Sequence, residues 1–373
     1  MELLHKEQLR SLMGQKQAPC VSIFVPTARG GEENRQGPIR LKNLIRKAEK
    51  QLARDSEKAL LEPVQKLAEN SGFWLHQTDG LAVFSAPGTF LYYRLPTRLE
   101  ELLVVTDRFH VTPLLHLFTE DGLYYLLALS KNHVRVYQCT RHGARELSLP
   151  AGTPKSVSEL LAVSGVEKQA RVHTGSSTRL HGHGARPGDD DKQELKEFFR
   201  LVDRGVREKL RDDRSPLVLA AVDYEQALYR EVNTHPNLVS GGVAGSPEGW
   251  PVARLLEESW QVMGPHLARR RAEAARRYQD LTGSSRASNV VEKVVREASR
   301  GRVDELFVAV SAHRWGRFDP DAQKAKIRDR PATGDEDLLD LAAIETVLHG
   351  GAVHAVDPGE VPGGGVLAAV LRY

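Results

Sequence analysis

The sequence predicts an α/β protein of the multidomain α+β kind. Three observations predict it. A length of 373 residues exceeds what one ordinary core holds, so two or three domains are expected. Apolar runs of strand length, bounded by glycine and proline, alternate with helical periodicities along the chain. The stretch Gly363-Gly364-Gly365, followed by Val366 to Tyr373, reads as a glycine hinge feeding a buried apolar strand. Such a strand has to pair inside a sheet to satisfy its backbone.

The first segment runs to about Glu120 and reads as an N-terminal α/β domain, 1–120. Leu3, Leu4, Leu9, Leu12 and Met13 give a short amphipathic helix ending near Gly14. Cys20 to Val25 is an apolar strand stopped by Pro26. A glycine-bearing loop over 28–37 leads to Pro38, which opens a helix at a favourable first position. Leu41, Leu44, Ile45, Ala48 and Leu52 are its apolar face. A second helix covers 56–70, and strands follow at 80–85, 89–95 and 102–106.

Glu120-Asp121-Gly122 is a turn that opens a central domain, 121–262. Strands at 123–129, 133–139 and 146–149 come in quick succession, joined by the turns Ser130-Lys131-Asn132 and Arg141-His142-Gly143. A helix near 156–162 precedes a long polar, glycine-bearing segment, 165–191. Residues 194–210 form a strongly amphipathic helix with Leu195, Phe198, Phe199, Val202, Val206 and Leu210 on one side. A fully apolar strand, 217–222, and a helix, 224–232, complete the pattern. Three hairpin strands followed by alternating helix and strand point to a ribonuclease-H-like domain. Residues 251–281 form one long helix, or two broken near Gly264-Pro265, leading to a C-terminal α/β domain, 263–373. There a helix at 288–299, a strand at 303–310, a helix at 337–348 and strands at 352–356 and the C-terminus build an α/β sandwich. Residues 313–335 read as a polar insert with little periodicity and no assignable role.

Composition bounds the function. Hydrophobic residues at 40% and charged residues at 27% are those of a globular chain. Net charge is +3, from 52 basic and 49 acidic residues, which excludes a broadly polycationic nucleic-acid wrapper and leaves room for local basic patches. Two cysteines, Cys20 and Cys139, are too few for a disulfide framework, so a reducing cytoplasm is expected. The first residues lack the apolar core of a signal peptide, and no run approaches the roughly 20 apolar residues of a membrane helix, so no membrane partner is expected.

Two constellations carry charge in a pattern suited to RNA. Within 165–191, Arg179, His181, Gly182, His183, Gly184 and Arg186 combine basic side chains with exposed glycine amides, groups that suit a mobile arm touching phosphates. A disordered surface loop is the bland alternative. Arg269, Arg270 and Arg271, with Arg276 and Arg277, lie on the linking helix and could grip RNA phosphates, against the alternative of a solvated helix with internal ion pairs. His173, His181 and His183 lack the cysteines or fixed spacing of a metal site, so no metal is expected. The strands at 123–129 and 134–139 carry no carboxylate and Asp223 stands alone, which argues against a two-metal nuclease and leaves Asp223 to cap a helix. Nucleophile elbow, Walker loop and dinucleotide fingerprint are all missing, so neither a cofactor nor a catalytic residue is expected.

The order of these parts resembles the archaeo-eukaryotic peptide-release-factor and Pelota superfamily. Pro19 to Thr27 with Pro38 to Leu44 looks like its bacterial branch, and the end of the chain, to Leu371-Arg372-Tyr373, resembles the ribosomal-protein-like C-terminal domain of Pelota. In that superfamily a long loop of the central domain carries Gly-Gly-Gln into the ribosomal peptidyl-transferase centre. Here the corresponding stretch is His181 to Arg186, and Gly-Gly-Gln occurs nowhere in the chain. The resemblance therefore implies a ribosome-associated protein acting at or near the tRNA site in rescue, hibernation or protection of stalled ribosomes. Its partners would be the ribosome and ribosomal RNA, with tRNA or a translational GTPase as further partners. A peptidyl-tRNA or RNA-ester hydrolase using the glycine and histidine loop is one alternative, and a non-catalytic protein-interaction scaffold is another.

Overall fold

The computed structural model describes residues 6–16, 18–28, 30–119, 122–162, 189–211, 213, 215–330, 332 and 334–373. The chain divides into two compact units. Unit 1 joins Met1–Glu120 to Arg269–Tyr373, and unit 2 is Asp121–Ala268. The sequence division at 120 and 262 is finer than this.

In unit 1, β1 (Cys20–Pro26), β2 (Gly80–Ala86), β3 (Thr89–Leu95) and β4 (Leu102–Thr106) form an antiparallel sheet in the order β3-β2-β1-β4. The two-residue period of β1 divides its side chains between two cores. Val21, Ile23 and Val25 pack with Leu41, Leu44, Ile45 and Ala48 of the helix Gly31–Gln51. Cys20 and Phe24 face a second core that also holds Val294 and Val295 of the helix Val291–Ser299 and Leu338, Leu339 and Leu341 of the helix Leu338–Leu348. That last helix is apolar around most of its circumference, which suits a helix covered on every side. Helix Gly31–Gln51 begins well before Pro38, which lies inside it. Proline forfeits a single backbone bond there, and the buried face from Leu41 onward holds the helix regardless. A short helix, Thr112–Thr119, gave too few periodic residues to be read from sequence.

The second sheet of unit 1 runs β10 (Ala287–Ser288), β16 (Leu367–Leu371), β11 (Val303–Ala309), β15 (Ala352–Val356). As expected, the last strand is buried inside a sheet. Leu367, Ala369 and Leu371 enter the shared core, while Ala368 and Val370 pack with Ala274 and Tyr278. The hinge before it has φ of 76°, 75° and 98° at Gly363, Gly364 and Gly365, the left-handed region that only glycine enters freely. The expectation for 313–335 is corrected. β12 (Trp315–Asp319), β13 (Lys324–Ile327) and β14 (Glu336–Asp337) make a small antiparallel sheet. Arg317, Asp319, Lys324 and Lys326 point to solvent, and Phe318, Ala325 and Ile327 pack on the core. The period is two, carried by only one apolar residue per pair, and so hides in a polar string.

Unit 2 is a five-stranded sheet, β7-β6-β5-β8-β9. β5 (Tyr124–Leu129), β6 (Val134–Thr140) and β7 (Gly143–Leu147) form the expected meander, and β8 (Leu217–Ala221) and β9 (Leu238–Ala244) add in parallel. Tyr125, Leu127, Leu129, Leu217, Leu219 and Ala221 face the helices Asp189–Lys209 and Asp223–Val232. Tyr124, Leu126, Ala128, Val218 and Ala220 face Leu255 and Met263 of the helix Val252–Asp280, which continues through Pro265. β9 went unread because Ser240, Gly241 and Gly242 at its centre have low strand propensity. No helix among the described residues is long and apolar enough to cross a membrane.

Candidate nucleic-acid interface

The arm residues Arg179, His181, Gly182, His183, Gly184 and Arg186, together with His173, lie outside the described residues. The arginine run on the helix Val252–Asp280 is described and is mixed in character. Arg269, Arg270 and Arg276 are exposed, with no ion-pair partner among the described residues. Arg271 Nη1 lies 3.6 Å from Glu360 Oε2, and Arg277 Nη1 lies 2.6 Å from Asp304 Oδ2.

A second basic surface comes from the helix Asp189–Lys209. Its apolar stripe, Phe198, Phe199, Val202 and Val206, is fully buried against the sheet. Arg200, Arg204, Arg207 and, just past the helix end, Arg211 recur at helical spacing on the other side. All four are exposed, and all four line one groove of about 750 Å³. Its remaining walls include Asp203, Glu208, Asp213, Thr234 and His235.

Hydrogen bonding decides which of these charges face outward. Asp203 is buried and accepts bonds from the Thr234 backbone N–H at 3.1 Å, the Thr234 hydroxyl at 2.6 Å and the Tyr229 hydroxyl at 3.3 Å. Asp213 accepts from the Tyr125 hydroxyl at 2.8 Å and from the Ser215 N–H and hydroxyl at 2.8 and 2.7 Å. Two of the three groove carboxylates therefore hold loops together. Among the described residues no ion pair ties any of the four arginines, which leaves their guanidinium forks open to an anion. Arg207, in the last turn, also complements the helix dipole. Burial holds the His235 imidazole below its ordinary pKa, with Arg207 adding to the depression while Asp203 and Asp213 oppose it. Its Nδ1 accepts the Asn237 N–H at 3.3 Å. The groove thus sets four permanent cations and the exposed Glu208 beside a histidine whose burial disfavours its cation.

The helix has to approach the rest of its unit closely to stand there. A Cβ at Gly205 would lie 2.3 Å from Thr153 Oγ1, so glycine allows this contact. Sequence reading identified the apolar face of this helix and missed its arginines. The signal was present, since positions 200, 204, 207 and 211 follow a 3.6-residue period, but no two of them are adjacent. Asp223 does not act as the cap, because Val222 occupies that position and Asp223 sits in the first turn. Among the described residues, one group of His, Cys, Asp and Glu has donor atoms close enough to share an ion, His110, His313 and Asp337 of unit 1.

Residues 123–302 match the family model described as "Bacterial archaeo-eukaryotic release factor family 3". No curated protein matches the chain. Solved structures resemble it loosely. The Pelota protein of Thermoplasma acidophilum is 10% identical over 100% of this chain and 95% of its own, with a TM-score of 0.25. An archaeal translation termination factor, aRF1, is 14% identical over 99% of both chains, with a TM-score of 0.26. Dom34 of S. cerevisiae, a translation termination-like factor, is 11% identical over 76% of this chain and 73% of its own, with a TM-score of 0.34.

Proposed function

We propose that the chain is a ribosome-binding translation factor of the bacterial branch of the archaeo-eukaryotic release-factor superfamily, working without a Gly-Gly-Gln hydrolysis motif, a reading supported by the family match of residues 123–302. The observation that carries this reading is the coincidence of the family match with the arginine groove of unit 2. Phosphate-lined RNA is the chemistry recognised best by four guanidinium groups in a row that have no ion-pair partner among the described residues. The sheet order of unit 2 supports treating it as ribonuclease-H-like. The three-part division into 1–120, 121–262 and 263–373 belongs to the same proposal.

In this scheme the factor acts at or near the tRNA site of stalled ribosomes, in the cytoplasm, in rescue, hibernation or protection. Arg200, Arg204, Arg207 and Arg211 grip ribosomal RNA. Arg269 and Arg270 add to that grip, while Arg271 is shared with Glu360. Arg179, His181, Gly182, His183, Gly184 and Arg186 form the arm that reaches tRNA or the RNA around it. A translational GTPase is the protein partner that a factor of this superfamily would meet there.

Co-sedimentation of the purified chain with bacterial ribosomes across a salt series tests the proposal. Binding is expected to weaken steeply with salt, and the slope to fall by roughly 0.7 to 0.9 for each phosphate-contacting arginine removed. Deleting 175–187 should weaken binding separately. Absence of ribosome binding at low salt, for empty and stalled particles alike, overturns the proposal.

A further inference from the structure

Outside the stretch matched to the release-factor family, unit 1 buries a second set of polar groups. His110 follows β4, is 2% exposed, and comes from the N-terminal part of the chain. His313 and Asp337 come from the C-terminal part, His313 just before β12 and Asp337 within β14 of the small sheet. One donor atom from each of the three lies within 4.8 Å of the others. The rings of His110 and His313 are 5.8 Å apart, and His313 stacks on Trp315 at 5.5 Å.

Hydrogen bonds hold His110 and Asp337 from behind. His110 donates its backbone N–H to Ser22 Oγ at 3.0 Å, which fixes the backbone. Its Nδ1 lies 3.5 Å from Asp340 Oδ1, a carboxylate already anchored by the Val111 N–H at 2.8 Å and the Thr112 N–H at 2.6 Å. The other ring nitrogen, Nε2, is buried without a hydrogen-bond partner among the described residues. A buried imidazole with an orphan nitrogen costs free energy unless something occupies that nitrogen. Asp337 is likewise oriented from behind. Its Oδ1 accepts the Arg314 and Leu339 N–H groups, each at 3.1 Å, and its Oδ2 faces His313 Nδ1 at 2.6 Å.

We propose that His110, His313 and Asp337 bind a divalent first-row transition metal, zinc above all. Two imidazole nitrogens and one carboxylate oxygen suit zinc, with a fourth position left for water. Asp340 behind His110 is the outer carboxylate that ligating histidines commonly carry. The ion links residue 110 to residues 313 and 337, and so clips together the two parts of unit 1 that the insertion of unit 2 separates in sequence.

The test uses the full chain, produced without a polyhistidine tag, and zinc itself as the probe. Elemental analysis should find roughly one zinc or other first-row divalent ion per chain. Stripping with a chelator should lower the melting temperature, and micromolar zinc should restore it by roughly 5 °C. His313→Ala should weaken zinc binding at least about tenfold. Its side chain is 27% exposed, so its loss opens little cavity. A stripped chain whose melting temperature ignores added zinc, a comparison that needs no variant, overturns the proposal. So does zinc affinity unchanged in His313→Ala, which would leave a hydrogen-bonded cluster only.

Discussion

Two sets of arginines, read from the same sequence, behave differently in the fold. The run Arg269-Arg270-Arg271 with Arg276 and Arg277 is conspicuous as a string, yet two of its five members point into ion pairs within unit 1. Arg200, Arg204, Arg207 and Arg211 are scattered in the string, yet they share a single groove. The helix explains both results. Adjacent residues project about 100° apart, so a contiguous run spreads around the cylinder, whereas a 3.6-residue spacing aligns. Spacing rather than density therefore builds a phosphate-binding face.

The largest expected effect removes the seat on which the aligned set stands. Gly205→Ala puts a methyl group 2.3 Å from Thr153 Oγ1 and 2.6 Å from Thr153 Cγ2. Overpacking of this kind costs about 1–3 kcal/mol, measurable by denaturant unfolding. Thr153→Ala in the same chain removes both clashing atoms and should recover most of the loss. An equal loss in the single and double variants would show that the helix is seated by something other than this contact.

Next in size is the direct contest between the two sets. Arg204→Gln with Arg207→Gln should lower ribosome affinity by roughly tenfold at moderate salt and reduce the salt slope by about 1.5. Arg271→Gln with Arg277→Gln should change affinity little, because these side chains already have carboxylate partners. Its cost should appear instead as a small loss of unit 1 stability, within about 1 kcal/mol for exposed pairs. The reverse outcome would return the RNA interface to the contiguous run.

Much of the fold was legible because burial imposes its period on the sequence. Phe198, Phe199, Val202 and Val206 announced their helix, and the apolar C-terminal stretch announced a strand inside a sheet. The parts that hid were those where burial is shallow or shared. β9 carries two central glycines, and β12 and β13 show solvent every second residue. The core common to 1–120 and 269–373 joins residues far apart in the chain, such as Phe24 with Leu338, and no local pattern encodes that pairing. The site was less legible than the fold. Arginines tolerate any exposed position, so their alignment gives no hydrophobic signal. His110, His313 and Asp337 lie on three separate segments, and only packing collects them.

A smaller effect concerns the neutral wall of the groove. Burial lowers the His235 pKa, so in the interval below 6.5 the unfolded chain binds the proton and the folded chain resists it. Stability is then fully present above that value and declines as pH falls toward the depressed folded value, by less than about 1.4 kcal/mol per pH unit for one proton. Asp203 and Asp213 temper the decline by favouring the cation, and Arg207 sharpens it. His235→Asn keeps an acceptor for the Asn237 N–H and has no proton to gain. Unfolding curves between pH 5 and 7 should therefore be flatter for the variant than for the parent, beyond the slope that other groups give to both.

The smallest effect contrasts the anchored acids of the groove with one that is anchored poorly. Asp203 and Asp213 each collect several hydrogen bonds, whereas buried Glu225 accepts the Lys131 N–H at 3.2 Å through Oε1. Burial raises its pKa, and the nearby negative charge of Glu248 adds to the rise. A raised carboxyl contributes stability that is complete below 4.5 and is lost as pH climbs through the folded value, the opposite sign to His235. Glu225→Gln keeps an oxygen for Lys131 and discards the charge. At pH 7 its stability should equal the parent's or exceed it by about 0.5 kcal/mol, and the loss on raising pH above 4.5 should vanish. A destabilisation of more than about 1 kcal/mol would mean that the carboxylate charge itself holds the loop after β5. Ribosome affinity should stay the same in either case, because Glu225 is not among the residues that line the groove.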